Sequence, residues 1–153
     1  MNNIATASPD GRELTPAFLY ELIKKNVGRI EALEIREAKT ARAVTDIEEE
    51  YPLLPPEADD LSIAVRKKGV ELMGGKKSPA YNNKELRTRI FRDIYYEIKR
   101  QYGLIDEKGV QASYKKLKRK YYSGAVQIVS GYVLPIGLQN EVEAENEAGE
   151  LDD

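Results

Sequence analysis

The side chains with chemistry to offer in this chain are cations. Residues Val65 to Tyr122 carry a net charge of +11, between a first stretch (1–64) at −6 and a last (123–153) at −7. The overall formal charge of −2 hides that segregation. A strongly basic middle between acidic ends is the electrostatic pattern of a polyanion-binding surface. The candidate contacts are Lys76, Lys77, Arg89, Arg92, Lys99, Arg100, Lys115, Lys116, Lys118, Arg119 and Lys120, with Tyr96 interleaved among them. Ammonium and guanidinium groups hold phosphate oxygens, and a tyrosine ring can stack on a base. The partner this chemistry predicts is nucleic acid, DNA in the first instance. The competing reading is a solvated face on a lysine-rich helical protein.

Other chemistries find little support. The chain has no His and no Cys. That removes the commonest general base, the Ser-His-Asp and Cys-His arrangements, thiolate catalysis and Cys-ligated zinc. Gly69, Gly74, Gly75, Lys76, Lys77 and Ser78 invite a phosphate-loop reading. Gly69 and Gly74 have the required gap, but Gly75 then stands where the pattern needs Lys. Asp59-Asp60 and Asp106-Glu107 are paired carboxylates in polar surroundings without a motif. No enzyme activity, cofactor or metal is expected.

The elements that must carry the cations are helical, and the expected fold is all-α. Residues 1–14 read as a flexible arm. Thr15 and Pro16 suit an N-cap and first helical position. From there residues 15–51 form one long helix with a 4-3 repeat: Leu19, Ile23, Asn26, Ile30, Leu33, Glu37, Thr40, Val44, Ile47 and Tyr51. Leu19, Ile23, Ile30, Leu33, Val44 and Ile47 are its candidate oligomerisation residues, offering a homodimer seam. An amphipathic helix lying on its own domain is the equal alternative.

Prolines at 52, 55 and 56 mark residues 52–60 as a hinge. Residues 61–135 form the basic domain of three or four helices. A first helix spans about Asp59 to Met73 and stops at Gly74-Gly75. Lys76 to Tyr81 is a basic loop. Asn82 precedes a strong helix whose inner half holds Leu86, Ile90, Phe91, Ile94, Tyr95, Ile98 and Tyr102, with Gly103 at its end. Ser113 caps a short turn. The stretch 126–133 suits either helix or strand. Residues 136–153 are acidic and poor in apolar side chains, which predicts a disordered tail. No apolar run reaches the length of a membrane span and no signal peptide is read, so a cytoplasmic location is expected.

Several landmarks occur in order: Leu72 to Lys76 (Leu-Met-Gly-Gly-Lys), Ser78 to Tyr81 (Ser-Pro-Ala-Tyr), the helix Arg89 to Arg100, Tyr102-Gly103 and Ser113-Tyr114. Over about Leu61 to Val133 the chain resembles the "open-reading-frame-six" C-terminal domain of phage antirepressors. The resemblance implies a helical, DNA-associated module, often preceded by a coiled-coil-like segment, in a phage or prophage regulator. Family members often carry a separate N-terminal DNA-binding domain, where this chain has only an arm and a long helix.

Two functions are then in view. One is an antirepressor-like regulator that binds nucleic acid through the basic domain in a bacterial host. The other is a protein-binding antagonist that sequesters a repressor, or inhibits a host defence or replication protein, without touching DNA.

Overall fold

The computed structural model describes residues 15–151, so the expected arm at 1–14 lies outside the described residues. Six α-helices follow in order: α1 (Pro16–Glu50), α2 (Pro55–Leu72), α3 (Pro79–Asn82), α4 (Lys84–Gln101), α5 (Tyr122–Gly131) and α6 (Ile136–Leu151). Two short 3-10 turns, Tyr114–Lys116 and Arg119–Tyr121, lie between α4 and α5. The fold is all-α, and no strand forms among the described residues. The stretch left open between helix and strand is helical to Gly131.

The chain divides into two units, residues 1–47 and 48–153. The first is dominated by α1. Thr15 Oγ1 accepts from the Phe18 backbone N–H at 3.1 Å, satisfying one of the donors a helix start leaves open. None of the residues in α1 is buried.

The second unit has a core built on α4. Leu86, Ile90, Ile94 and Ile98 recur every four residues and are all buried, as the helical period requires. Each such side chain contributes about 1.5–3 kcal/mol by leaving water. They pack with Leu61 and Val65 of α2, Ala125 and Val129 of α5, Met73 and Leu117. The cap of α4 is Asn83 rather than Asn82: its Oδ1 accepts from Leu86 N at 3.1 Å. Gly103 ends the run with φ +70°, a conformation that L side chains avoid. Where α2 crosses α4, Gly69 makes room for Phe91. A Cβ at Gly69 would stand 2.3 Å from Phe91 Cε1.

Three expectations need correction. The Lys76 to Tyr81 loop contains a helical turn, α3, capped by Ser78 Oγ accepting from Tyr81 N at 3.2 Å. The segment expected to be a hinge at 52–60 is built in. Leu53 N donates to Leu117 O and Arg119 N to Tyr51 O, both at 2.8 Å, and α2 already begins at Pro55.

The third correction is the acidic tail. Ile136–Leu151 is helix α6, with Val142 buried and Leu138 packed against the core. Asn146 fastens it: Oδ1 accepts from Ala80 N at 2.9 Å and Nδ2 donates to Met73 O at 3.1 Å. Gly149 lies so close to Pro79 that a Cβ would stand 2.2 Å from Pro79 Cγ. This helix is held by specific polar and close-packed contacts rather than by bulk apolar burial. Low hydrophobicity therefore misreads it as disorder.

Candidate nucleic-acid interface

The structure sorts the cations by whether a carboxylate reaches them. Five of the sequence-derived candidates are tied within the chain: Arg89 to Glu141, Arg100 to Glu97, Lys118 and Lys120 to Glu50, and Arg119 to Glu57. The two lysines hold the Glu50 carboxyl below its ordinary value, first through the hydrogen bond from Lys118 and then that from Lys120. The Glu141 carboxylate raises Arg89 in turn, against the opposing effect of desolvation. Arg119 is the most structural of the five. Its Nε donates to Glu57 Oε1 at 2.9 Å, and that oxygen also accepts from Leu54 N at the start of α2. A phosphate reaching these groups must compete with the carboxylate already present.

Lys76, Lys77, Arg92, Lys115 and Lys116 are exposed and have no carboxylate partner among the described residues. Lys99 reaches only the Gln111 side-chain oxygen, at 3.4 Å. Arg89, Arg92 and Tyr96 share a shallow depression with Asp93, Gln111 and Leu138. Lys115 to Lys120 lie in the two 3-10 turns and the step between them.

A different constellation is the most coherent. Helices α2 and α4 flank a groove of about 920 Å³ whose lining includes Arg66, Lys67, Lys76 and Arg87 and no carboxylate. Its apolar and aromatic lining comes from Ile63, Val70, Tyr81, Phe91 and Tyr95. Arg87 is held in place: Nη1 donates to Tyr81 O at 3.0 Å, and the guanidinium sits 4.9 Å from the Tyr81 ring centroid. Tyr95 packs against Tyr114 with ring centroids 4.9 Å apart, and Lys115 and Lys116 follow Tyr114 in the chain. Burial raises the Tyr95 hydroxyl above its ordinary value, opposed by the Ser62 side chain. A neutral phenol and a row of cations therefore line one groove.

Of this group, only Lys76, Lys115 and Lys116 stand among the sequence-derived contacts; Arg66, Lys67 and Arg87 do not. A signal for the groove exists in the sequence. Between Val65 and Lys84 the one carboxylate is Glu71, against six lysines and arginines. In the structure Glu71 faces Lys68 at 3.9 Å, leaving the groove lining without an acid.

A second depression, between α4 and α5, has the opposite character. It includes Asp93, Glu97, Tyr102 and Tyr132. The Tyr132 hydroxyl donates to the Asp93 carboxylate, and its pKa is pushed far above the ordinary value, by burial first and by that bond second. Among the described residues no group of His, Cys, Asp or Glu side chains is arranged to hold a metal ion, and no helix is long and apolar enough to cross a membrane.

The family model described as the ORF6C domain matches residues 22–142. The match begins inside α1 and ends inside α6, so it is wider than the basic domain expected at 61–135. No curated protein and no solved structure matches the chain.

Proposed function

Because the chain belongs to the ORF6C domain family, a phage antirepressor-type C-terminal domain family, we propose that it is a phage or prophage regulator that binds DNA through the α2–α4 groove. Arg66, Lys67, Lys76 and Arg87 would hold backbone phosphates, extended by Lys115 and Lys116 beyond Tyr95 and Tyr114. The observation that carries this reading is the carboxylate-free lining of a groove with four cations. The role is binding rather than catalysis, which the absence of His and Cys supports. Its place of action would be the cytoplasm of a bacterial host, and its effect antirepressor-like.

The test is a fluorescence-anisotropy titration of the full chain with duplex DNA over a salt series. Log K should fall linearly with log salt, by about 0.9 per phosphate neutralised. Replacing Arg66, Lys67 and Lys76 by Ala should reduce that slope by about 2.7 on the same basis. Replacing Lys115 and Lys116 should reduce it by about 1.8. A slope unchanged in both variants, or no binding at low salt, overturns the assignment. The second reading is an antagonist that captures a repressor or host protein. It draws on the exposed apolar residues of α1. It predicts that polar substitutions at Ile23, Ile30 and Leu33 abolish function while the cation variants keep it.

A further inference from the structure

Helix α1 has the requirements for pairing but buries none of its residues in the chain. Leu19, Ile23, Ile30, Leu33, Val44 and Ile47 are between 41% and 61% exposed. They belong to a repeat of alternating four and three residues that runs for four heptads, about 42 Å of helix. A period of 3.5 suits a supercoiled helical partner better than a flat surface. In this register Ile23, Ile30, Glu37 and Val44 take the a positions, three of the four branched and apolar, and Leu19, Asn26, Leu33, Thr40 and Ile47 the d positions, two of them leucine. Branched residues at a with leucine at d favour two parallel strands.

The flanking residues choose the partner and the direction. Arg29, Glu34, Arg36 and Glu37 have no ion-pair partner among the described residues. In a parallel, in-register pair each g residue meets the e residue five positions on in the other chain. Arg29 then meets Glu34, and Leu22 meets Val27, each twice by symmetry. This gives a use to Leu22 and Val27, exposed apolar residues beside the main seam. An antiparallel arrangement that sets Leu19 against Val44 and Ile30 against Leu33 brings Arg29 against Arg36 and Val27 against Glu34. Glu37 is the one charged a residue within the helix. In the parallel pair Arg36 of the other chain lies beside it and offsets its charge.

We propose that α1 pairs with α1 of a second copy of this chain as a parallel, in-register, two-stranded coiled coil. The inference does not depend on the DNA reading, since it uses no residue of the α2–α4 groove.

The chain lacks cysteine, so a single introduced thiol reports without background. Sedimentation equilibrium of the full chain should give twice the chain mass. Ile30→Asp with Leu33→Asp should halve it while leaving the unfolding transition of residues 48–151 in place. Under mild oxidation Leu19→Cys should cross-link to itself nearly completely. In the antiparallel alternative the two copies of residue 19 would be about 37 Å apart, far beyond the reach of a disulfide. The control Ile35→Cys, on the outer face, should cross-link far less. A monomer mass across the accessible concentration range overturns the proposal, as does a trimer mass. So does cross-linking seen only when Leu19→Cys and Val44→Cys chains are mixed, the pairing of an antiparallel coil.

Discussion

Asn146→Ala is the most informative single substitution in the compact unit. The side chain joins α6 to the chain on both sides of the α2–α3 turn, through Ala80 N at 2.9 Å and Met73 O at 3.1 Å. Both Ala80 and Met73 are 0% exposed, so truncation strands one donor and one acceptor away from water. Two lost bonds at ~0.5–1.5 kcal/mol each, with the added cost of orphaned partners, give a destabilisation of about 2–4 kcal/mol. Set against a total of ~5–15 kcal/mol for a small domain, that is a large fraction. With a urea m-value of ~1–3 kcal/mol/M, the midpoint should drop by about 1–2 M at unchanged m. Tyrosine is the probe available, because the chain has ten Tyr and no Trp. Near-UV circular dichroism of the packed rings, such as Tyr102 on Tyr121 at 4.6 Å, follows the core and not α1. Asn140→Ala, at an exposed position of the same helix, is the control. Asn146→Asp separates the two bonds: it keeps the acceptor for Ala80 and sets a carboxylate against the Met73 carbonyl, so it should be destabilised as well. If Asn146→Ala unfolds like the Asn140 control, Asn146 does not clamp α6 and the acidic segment behaves as a disordered tail.

Gly69→Ala should cost about 1–3 kcal/mol by overpacking against Phe91, read as a lowered denaturation midpoint. Glu50→Gln tests the Lys118 and Lys120 pairing. The Glu50 pKa is depressed in the folded chain, so its stabilising effect is complete above the ordinary value of 4.5 and is lost as pH falls through the lowered one. The stability gap between wild type and variant should therefore be constant at neutral pH and close in acid; a gap that persists in acid would contradict the pairing. Tyr132 is raised, so the folded chain holds its proton more tightly than the unfolded chain does. Its contribution is complete below 10.0 and declines as pH rises beyond that value. Tyr132→Phe should flatten the alkaline unfolding profile, and a spectrophotometric titration should find Tyr132 the last phenol to ionise. An early, unhindered titration would count against the Asp93 bond.

Much of the fold was legible because it follows local periodicity. The four-residue recurrence of Leu86, Ile90, Ile94 and Ile98 is visible in the sequence and is the core face of α4. Thr15, Gly74-Gly75 and Gly103 announce helix ends by backbone chemistry that acts over a few residues. The failures are long-range. Helix α6 depends on Asn146 and Gly149 meeting residues 66–73 positions away, and no apolar stripe announces that. The cations were legible as charge, but their freedom was not. Glu50 lies 68 residues from Lys118, Glu57 lies 62 from Arg119 and Glu141 lies 52 from Arg89. Which lysines and arginines stay clear of an acid is settled by carboxylates that arrive from elsewhere in the chain.

The Asn146 clamp also has a temporal side. The turn carrying Lys76 leaves the ribosome well before the residue that latches it, because Met73 and Asn146 are 73 positions apart. At ~5–20 residues per second, synthesis needs roughly 4–15 s to supply that side chain. Until then the Met73 carbonyl and the Ala80 N–H have no partner from α6, and one edge of the basic groove stays unlatched. A nascent chain would thus present its cations on an unfinished surface, and a product truncated before Asn146 would never complete it.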